Sequence, residues 1–575
     1  MRSRSRRGTL TALTLGVSVI ATLITAPTTT TAATATNNPD FTANVMAPLV
    51  VTDWAQFESQ LQTVKNYGVD AVTADVWWGS VESAGDNQFN WSYYDTLFQK
   101  ITAKGLKIVP IFSFHQCGGN VGDTCNIPLP SWLWSKYSGQ TLNGITLDAN
   151  GLKHKSEQGN FSNETVQGWA DQLVLNEYRE FTAAFTARYA TTYANSIQEV
   201  NVSLGPAGEL RYPSYNGHDS GSGYPSRGAA QWNSPLAIRS FQQFAVAKYG
   251  SVSGVNSAWG SSVTSQSQIE PPSDTAYFFS SGDYRNIQYG KDLIDWYNSS
   301  LVDHGERMLN TVITALGTSF PAAKIGYKIP GVHWSMSGAT PRAAEVAAGL
   351  VRTSVDMNAA NTGHGYANMV NLATKFANTG REMVLHFTCL EFNDENYAPQ
   401  YSQAKTLVGW LGAEADRQGV AIKGENALSG GVTNDTGWNN INNAFDNYPY
   451  IGMTVLRVGE VASGTGTTRY AEFIQKYRAV PQGESVTVKF AEWQSASSYS
   501  IHTWNGLSGT YPMTYEGFIN NRHWWSVTLA NAPSNFGFTF TNSNGNWDTA
   551  DRTYTQQGST IYVLPGSANV STTRP

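Results

Sequence analysis

Eight short apolar runs, spaced so that a helix fits between most of them, constrain the fold of this chain more than any other feature. They lie at 44–51, 70–78, 106–114, 198–205, 324–331, 382–390, 419–427 and 451–459. Helical patterns fill several of the intervals, for example residues 54–68 and 94–105. Eight alternating strands and helices are typical of a closed parallel barrel. We therefore predict an α/β fold built on a (β/α)8 TIM barrel.

Polar residues collect where these runs end. Those that end a run or closely follow one are Asp75, His115, Glu209, Lys328, His333, Thr388, Glu391, Glu425 and Arg457. Strand ends are where polarity normally begins, so part of this clustering is expected. In barrels of this type the chemistry lies at the C-terminal ends of the strands. The pattern therefore predicts a functional site at that end of the barrel.

The hydrophobic pattern of the sequence changes near residue 480. We assign residues 36–480 to the barrel domain, 481–485 to a linker and 486–566 to a second domain. Short alternating stretches separated by turn residues fill the second domain, which indicates a small all-β sandwich. The tail, residues 567–575, is expected to be disordered.

The N-terminus has the layout of a secretory signal peptide, which we place at residues 1–35. Arginines at positions 2, 4, 6 and 7 precede an apolar, threonine-rich run, and Ala33-Thr34-Ala35 forms a cleavage site. A membrane anchor is the alternative, but the run is short for a span. The motif does not distinguish general secretory from twin-arginine export. We expect a secreted, extracellular protein.

Charge and composition narrow the class of partner. Charged residues make up 14% of the chain and the net charge is −6. Because no basic block follows the first few residues, we expect no nucleic acid partner. We also expect no membrane partner. A chain rich in Trp, Tyr, Asn and Gln suits a neutral hydroxylated ligand such as a glycan.

Three cysteines are present, Cys117, Cys125 and Cys389. In an exported protein an odd count indicates one bridge and one free thiol. Cys117 and Cys125 flank residues 118–124, where a bridge would staple a short loop; two free thiols are the alternative. The CxxC spacing of zinc sites is absent, so metal binding through sulfur is not expected.

Several motifs together resemble the signatures of one family. They are "HQCGGNVGD" (115–123), "GPAGELRYPSY" (205–215) and "GENAL" (424–428), extended by "DVWWG", "IPGVHW", "FTCLE" and "LRVGE". This set resembles the β-amylases, glycoside hydrolase family 14, over residues 37–480. The resemblance implies a (β/α)8 barrel that releases β-maltose from the non-reducing ends of α-1,4-glucans with inversion.

Glycoside hydrolysis needs two carboxyl groups, one protonated and one ionised, and inverting enzymes hold them about 6.5–9.5 Å apart. By resemblance Glu209 is the general acid and Glu425 the general base. Different strand ends across a barrel mouth can supply such a separation. The alternative for Glu209 is a structural ion pair with Arg211.

Further substrate contacts are implied by the same resemblance. They are Asp75, His115, Asp123, Lys328, His333, Thr388, Asn426, Ala427 and Arg457. Asp123 closes a glycine-rich loop that looks like the mobile lid of the family, and a Cys117–Cys125 bridge would limit its swing. Glu391 is expected to support the loop beside Glu425 rather than to act in catalysis.

One structural Ca²⁺ is implied by a resemblance to bacterial β-amylases at Glu82, Asp86, Asn87, Glu177 and Glu180. Calcium takes about six to eight oxygen ligands, several of them carboxylate. A solvated acidic face is the alternative. The two-carboxylate mechanism requires no metal, so no cofactor is expected for catalysis.

The C-terminal region resembles starch-binding modules of carbohydrate-binding families 25 and 26 at "YSIHTWNG" and "NGNWDT". His502, Trp504 and Trp547 are the candidate sugar contacts, because aromatic rings stack on glucose while polar neighbours bind hydroxyls. The resulting prediction is a monomer that acts on starch, amylose and maltooligosaccharides. Two alternatives are a retaining glycosidase and a glycan-binding protein with an inactive barrel.

Overall fold

The computed structural model describes residues 40–478, 485–530, 532–533, 535–555 and 559–575. The predicted signal peptide, 1–35, and residues 481–484 of the predicted linker lie outside these ranges. No helix in the described ranges is long and apolar enough to cross a membrane.

Eight parallel strands close into a barrel, which confirms the predicted fold. They are β1 (Thr42–Met46), β2 (Ala71–Trp77), β3 (Lys107–Ser113), β4 (Glu199–Val202), β5 (Lys324–Ile329), β6 (Met383–Phe387), β7 (Ala421–Glu425) and β8 (Tyr450–Val455). Each strand pairs with its neighbours in the sequence of strands, and β1 closes the ring with β8. All eight strands fall within or next to the eight apolar runs.

Helices that cover the barrel are α1 (Trp54–Asn66), α2 (Ser92–Ala103), α3 (Asp171–Tyr193), α4 (Pro235–Tyr249), α5 (Val252–Trp259), α6 (Gln288–Leu316), α7 (Ala404–Gln418), α8 (Asp435–Asn447) and α9 (Gly464–Tyr477). Helix α1 illustrates how the local sequence forms and orients one of these helices. The Asp53 side chain caps its first turn by accepting a hydrogen bond from the Gln56 N–H, and Phe57, Leu61 and Val64 form its buried face. Spacings of four and three residues place these side chains on one stripe.

The strands carry apolar residues toward the helices and polar residues toward the barrel axis. In β2, Val72 and Ala74 join the main apolar core, whereas Thr73 and Asp75 alternate with them on the other face. Deeper in the barrel, the Glu199 carboxylate accepts hydrogen bonds from Lys423 Nζ at 2.6 Å and His386 Nε2 at 2.5 Å. These three side chains are buried. The barrel is therefore filled below its C-terminal mouth.

Two long connections position loops over that mouth. The first follows β3 and contains the short hairpins Thr141–Leu142 with Ile145–Thr146 and Lys153–Lys155 with Phe161–Val166. The second follows β4 and leads into α4. It contacts the loop after β5: the Ser226 carbonyl accepts a hydrogen bond from Trp334 Nε1 at 2.7 Å, and the Tyr224 ring packs against His333. The segment around Tyr224 thus forms one wall of the mouth.

The C-terminal region is rich in strands, as predicted. It contains β9 (Val486–Ala491), β10 (Tyr499–Trp504), β11 (Gly509–Pro512), β12 (Thr514–Ile519), β13 (Arg522–Leu529), β14 (Phe536–Asn542), β15 (Arg552–Tyr554), β16 (Thr560–Val563) and β17 (Val570–Ser571). One sheet has the order β12-β13-β9-β16-β17 and the other β11-β10-β14-β15. A second apolar cluster, including Val488, Ile501 and Phe538, lies between them.

The expectation of a disordered tail at 567–575 is wrong. Val570 and Ser571 form β17, which pairs with β16. The Arg574 guanidinium lies 5.1 Å from the ring centre of Trp524 and forms an ion pair with Glu516 at 3.0 Å. Polar composition alone predicted disorder, but backbone pairing and this cation–π contact fix the segment.

Candidate active site

A cavity of 880 Å³ opens at the C-terminal ends of the barrel strands. Every residue predicted to be catalytic or to bind substrate in the barrel lines it. These are Asp75, His115, Asp123, Glu209, Lys328, His333, Thr388, Glu425, Asn426, Ala427 and Arg457. The structure therefore brings together, in one concave site, side chains that are distributed over nearly four hundred residues of sequence.

The glycines before Glu209 allow a turn that other residues would obstruct. A Cβ atom on Gly205 would lie 2.4 Å from the Glu209 carbonyl oxygen, and Gly208 has a φ of +81°. After this turn the chain resumes the line of β4, since the Leu210 N–H donates to the Lys328 carbonyl at 2.8 Å. Glu209 is thereby held beside β5 with its side chain in the cavity.

Glu209 is a largely buried carboxyl group, 14% exposed, with a cationic neighbour. Burial raises its pKa, while the charges of Arg211 and Lys328 act in the opposite direction and Glu425 adds to the rise. Arg211 Nε donates to Glu209 Oε2 at 2.9 Å. The ion pair that was the structural alternative for Glu209 is therefore present, and Glu209 also lines the cavity. Arg211 is itself buried, so the pair is shielded from bulk water.

Glu425 ends β7 and has a different environment from Glu209. Lys328 Nζ lies 2.8 Å from Glu425 Oε1 and 2.7 Å from Oε2. An ammonium group this close forms a short, charge-assisted contact with the carboxylate. Strands β5 and β6 separate β4 from β7 in the barrel ring, so the two carboxyl groups approach from different sides of the mouth. Lys328, on β5, is the group between them.

Asp75 and His115 form a polar patch on the β2–β3 side. Ser113 Oγ donates to Asp75 Oδ1 at 2.9 Å, and burial raises the pKa of Asp75. His115 Nδ1 lies 2.8 Å from Ser203 Oγ. Burial, together with the charges of Lys328 and Arg211, lowers the pKa of His115 to about 3. The imidazole is therefore neutral near pH 7, and its other ring nitrogen can serve a neutral ligand such as a sugar hydroxyl.

His333 and Thr388 lie on the β5–β6 side. His333 Nδ1 is 2.7 Å from Ser402 Oγ, and burial lowers its pKa to about 4. The Thr388 hydroxyl accepts a hydrogen bond from the Gly331 N–H at 2.8 Å. On the far side, Arg457 Nη1 donates to the Ala47 carbonyl at 3.3 Å. All three side chains are oriented by protein contacts before any ligand arrives.

The loop after Glu425 rests on Glu391, in agreement with the supporting role expected for that residue. The Ala427 and Leu428 N–H groups both donate to the Glu391 carboxylate. The Asn426 side-chain amide is hydrogen-bonded to backbone groups. It donates to the Leu428 carbonyl and accepts from the Leu456 N–H, each at 2.8 Å. Asn426 therefore shapes the loop, and Leu428 presents an exposed apolar side chain at the mouth.

The glycine-rich loop, residues 117–125, is closed by a Cys117–Cys125 disulfide. Of the two alternatives from the sequence, the bridge is therefore present and Cys389 is a buried free thiol. Asn120 Oδ1 accepts from Arg211 Nη2 at 2.7 Å, and the Gly217 N–H donates to the Gly119 carbonyl at 2.7 Å. Asp123 is exposed at the loop tip and accepts from the Asn120 backbone N–H.

Several residues of the cavity were not predicted from the sequence. Tyr215 stacks on Arg211 at 4.0 Å, and Trp334 packs against both Tyr215 and Tyr224. Tyr215 and Trp334 lie within recognised motifs, so their position could have suggested a role. Tyr224 comes from the irregular segment after β4, where no periodicity signals which side chain reaches the mouth.

An acidic cluster lies away from the cavity. Carboxylate oxygens of Asp86, Glu177 and Glu180 come within 4.8 Å of one another. Asn87 donates from its backbone N–H to Glu82 and from its side chain to Glu180. The five predicted calcium ligands therefore converge. Lys136 Nζ also contacts Asp86 and Glu177 at 2.6 Å each, while Glu177 Oε2 is buried and forms no hydrogen bond with any residue that the structure describes. An oxygen-only donor set with an unsatisfied carboxylate oxygen fits a hard cation.

The three predicted residues of the C-terminal region share one sheet surface. The His502 ring centre lies 6.2 Å from that of Trp504 and 5.6 Å from that of Trp547. His502 Nδ1 is 2.8 Å from Thr510 Oγ1, which fixes the imidazole. Trp547 is 55% exposed, whereas Trp504 lies over Gly537, whose Cβ position is 2.3 Å from Trp504 Nε1. Trp547 is thus the more available ring of the two.

Comparisons with known proteins identify the family. A sequence model described as glycosyl hydrolase family 14 matches residues 44–483. The chain is 37% identical to a β-amylase of Niallia circulans over 92% of this chain and 88% of that protein. It is 40% identical to a β-amylase of Cytobacillus firmus, covering 81% and 92% of the two chains. The solved catalytic domain of a Paenibacillus polymyxa β-amylase superposes with a TM-score of 0.66 at 40% identity, covering 76% of this chain and 98% of that one. The chain therefore belongs to glycosyl hydrolase family 14.

Proposed function

We propose that the protein hydrolyses α-1,4-glucans of starch, amylose and maltooligosaccharides from their non-reducing ends and releases β-maltose with inversion. The observation that carries this proposal is the pairing of Glu209 and Glu425 at opposite sides of one cavity in unlike environments. Unlike environments separate the protonation states of two carboxyl groups, which is how an acid and a base coexist in one site.

In this mechanism Glu209 donates its proton to the glycosidic oxygen that leaves. Glu425, which contacts Lys328, acts as the general base and removes a proton from a water molecule that attacks the anomeric carbon from the opposite face. Asp75 and His115 would bind hydroxyls of the terminal glucose, and His333 and Thr388 those of the sugars nearer the mouth. Asp123 would contact the terminal sugar when the glycine-rich loop closes, which would exclude water from the reacting bond.

The first product formed from soluble starch should be β-maltose. An inverting reaction at an α-linkage places the new hydroxyl in the β position, since water enters opposite the leaving group. Proton NMR within the first minutes, before mutarotation, distinguishes the anomers. Initial α-maltose would instead indicate a retaining enzyme, and no release of reducing sugar would indicate a glycan-binding protein.

We further propose that Glu82, Asp86, Asn87, Glu177 and Glu180 hold one structural Ca²⁺. Bound calcium supplies positive charge and oxygen coordination that join the loop at 82–87 to α3. Because Lys136 contacts two of these carboxylates, it would have to move aside. None of these five residues lines the cavity of the proposed catalytic pair, so the role of the ion would be stability.

Millimolar calcium is therefore expected to raise the melting temperature of chelator-treated protein by several degrees, because a ligand that binds only the folded state stabilises it. Glu177→Gln should remove this increase. Glu472→Gln, an exposed carboxylate on α9, is the matched control and should retain it. An equal calcium response in the two variants would refute the assignment.

The C-terminal region, we propose, binds starch through His502, Trp504 and Trp547. Trp547→Ala should weaken retention on an amylose gel by about fivefold or more, because a stacked aromatic ring is lost. Hydrolysis of maltopentaose, a short soluble substrate, should remain within twofold of the parent. Phe518→Ala removes an equally exposed aromatic side chain from the other sheet and serves as control. Equal retention of Trp547→Ala and parent would contradict the proposal.

The N-terminal signal peptide predicted from the sequence implies that the protein is exported. We propose that residues 1–35 are removed on secretion and that the mature chain acts outside the cell as a monomer. The Cys117–Cys125 bridge supports an oxidising compartment. N-terminal sequencing of protein recovered from culture medium and its mass in solution would test both points.

A further inference from the structure

Glu164 is a buried carboxyl group beneath the glycine-rich loop that the proposed mechanism does not use. It lies on the hairpin strand Phe161–Val166 and is 2% exposed. Its backbone carbonyl accepts a hydrogen bond from the Gln116 N–H at 2.8 Å, directly before the loop begins. The residue is therefore tied to the base of the loop through its main chain as well as through its side chain.

The side chain of Glu164 fits against Gly119 of the loop. A Cβ atom at position 119 would lie 2.5 Å from Glu164 Cγ and 3.0 Å from its Oε1, and Gly119 has a φ of +124°. Only glycine allows the loop to lie this close to the carboxyl group. Through Asn120, the next residue, the loop also accepts a hydrogen bond from Arg211, the partner of Glu209.

The hydrogen bonding of this carboxyl group is poor for a charged group. Ser162 Oγ donates to Oε2 at 3.3 Å, and Oε1 has no hydrogen-bond partner among the described residues. An ionised carboxylate left this way is costly in a buried position, whereas a neutral one is not. Burial accordingly raises the pKa of Glu164 to about 7; the charge of Arg211 opposes the rise, and those of Asp123 and Asp219 add to it.

We propose that Glu164 is a positioning residue of the active site. The glycine-rich loop is called seated when Gly119 lies against the Glu164 side chain, as in this structure. The neutral carboxyl group stabilises the seated loop, and ionisation of that group releases it. The inference rests on the function proposed above, in which the loop contacts the terminal sugar. Glu164 does not line the cavity of the proposed active site. It acts through Gly119 and Asn120 on the loop, and through the loop on Asp123 and Arg211.

The direction of the pH effect follows from the two states of the loop. With the loop seated, the pKa of Glu164 is about 7, and with the loop lifted into water it returns toward its ordinary value of 4.5. The seated state is therefore fully favoured below pH 4.5. It loses stability as the pH rises from 4.5 toward 7, and its stability changes little above pH 7.

Maltose binding by the parent and by Glu164→Gln tests this inference, since Gln keeps the shape of the neutral carboxyl group and cannot ionise. We expect equal dissociation constants at pH 4, below both pKa values, and at least threefold tighter binding by the variant at pH 7, measured by calorimetry. Glu382→Gln, at the opposite end of the barrel, is the control and should follow the parent. A variant-to-parent ratio that does not change with pH overturns the inference.

If Glu164→Gln does not fold, Ser162→Ala provides the same test. It keeps the carboxyl group but removes the Ser162 hydrogen bond, which lowers the pKa of Glu164. The pKa should therefore rise in this variant, and maltose binding should continue to weaken up to a higher pH than in the parent. The same pH dependence as in the parent overturns the inference. Failure of the parent to bind maltose or release it from starch would instead overturn the proposed function, so the two failures are distinguishable.

Discussion

Glu425→Gln is expected to lower kcat on soluble starch by about 10²- to 10⁴-fold, the range typical of a lost general base. Gln has nearly the shape of Glu but cannot remove a proton from water. It also removes the negative charge beside Lys328 and replaces one of the two oxygens that contact the ammonium at 2.7 and 2.8 Å with an NH2 group, which cannot accept a hydrogen bond. Rates should be measured as reducing sugar released, with maltose binding measured in parallel.

Maltose binding by Glu425→Gln should stay within about tenfold of the parent, because the other cavity residues remain in place. Glu382→Gln removes a carboxylate from the opposite end of the barrel and should keep parental kcat. A Glu425→Gln enzyme that retains more than a tenth of parental kcat would show that another group acts as the base.

Glu209→Gln should cause a loss of similar size on starch, yet only a small loss on α-maltosyl fluoride. Fluoride leaves readily without a proton, whereas a sugar alkoxide needs one, so only the second reaction depends on the general acid. Glu425→Gln should be slow on both substrates because each still requires activation of water. Comparing the two variants on the two substrates therefore assigns acid and base separately.

The pH profile gives an independent reading of Glu209. Burial raises the pKa of this group. The parent needs the protonated form, so kcat should fall as the pH rises through that elevated value. On α-maltosyl fluoride the alkaline decline should be weaker and should be absent from Glu209→Gln. An unchanged alkaline decline in that variant would assign it to another group.

The architecture was predictable because hydrophobic periodicity is a local property of the sequence. The eight apolar runs correspond to the eight strands, and residues such as Asp75, Glu209 and Glu425 reach the mouth simply because strands end there. The resemblance of the motifs to glycoside hydrolase family 14 then suggested the reaction. The position of a residue along a strand was therefore enough to predict its presence at the site.

Contacts between distant side chains were not predictable in the same way. No local pattern shows that the Asn426 amide is used by backbone groups, or that Glu164 lies under Gly119. The tail was misjudged for a related reason: the pairing of β17 with β16 and the contact of Arg574 with Trp524 depend on a fold that composition does not encode. Partner choice is a three-dimensional property.

The filled interior below the mouth has a kinetic consequence. Because Glu199, His386 and Lys423 occupy the barrel beneath the cavity, a polymer cannot thread through the barrel, and the proposed function has each chain enter the cavity by its end. For the function proposed here, the reaction rate would scale with the number of chain ends rather than with the mass of polysaccharide. A branched glucan would thus react faster per gram at first, and shortening of each arm would stop once a branch point became too wide for the cavity.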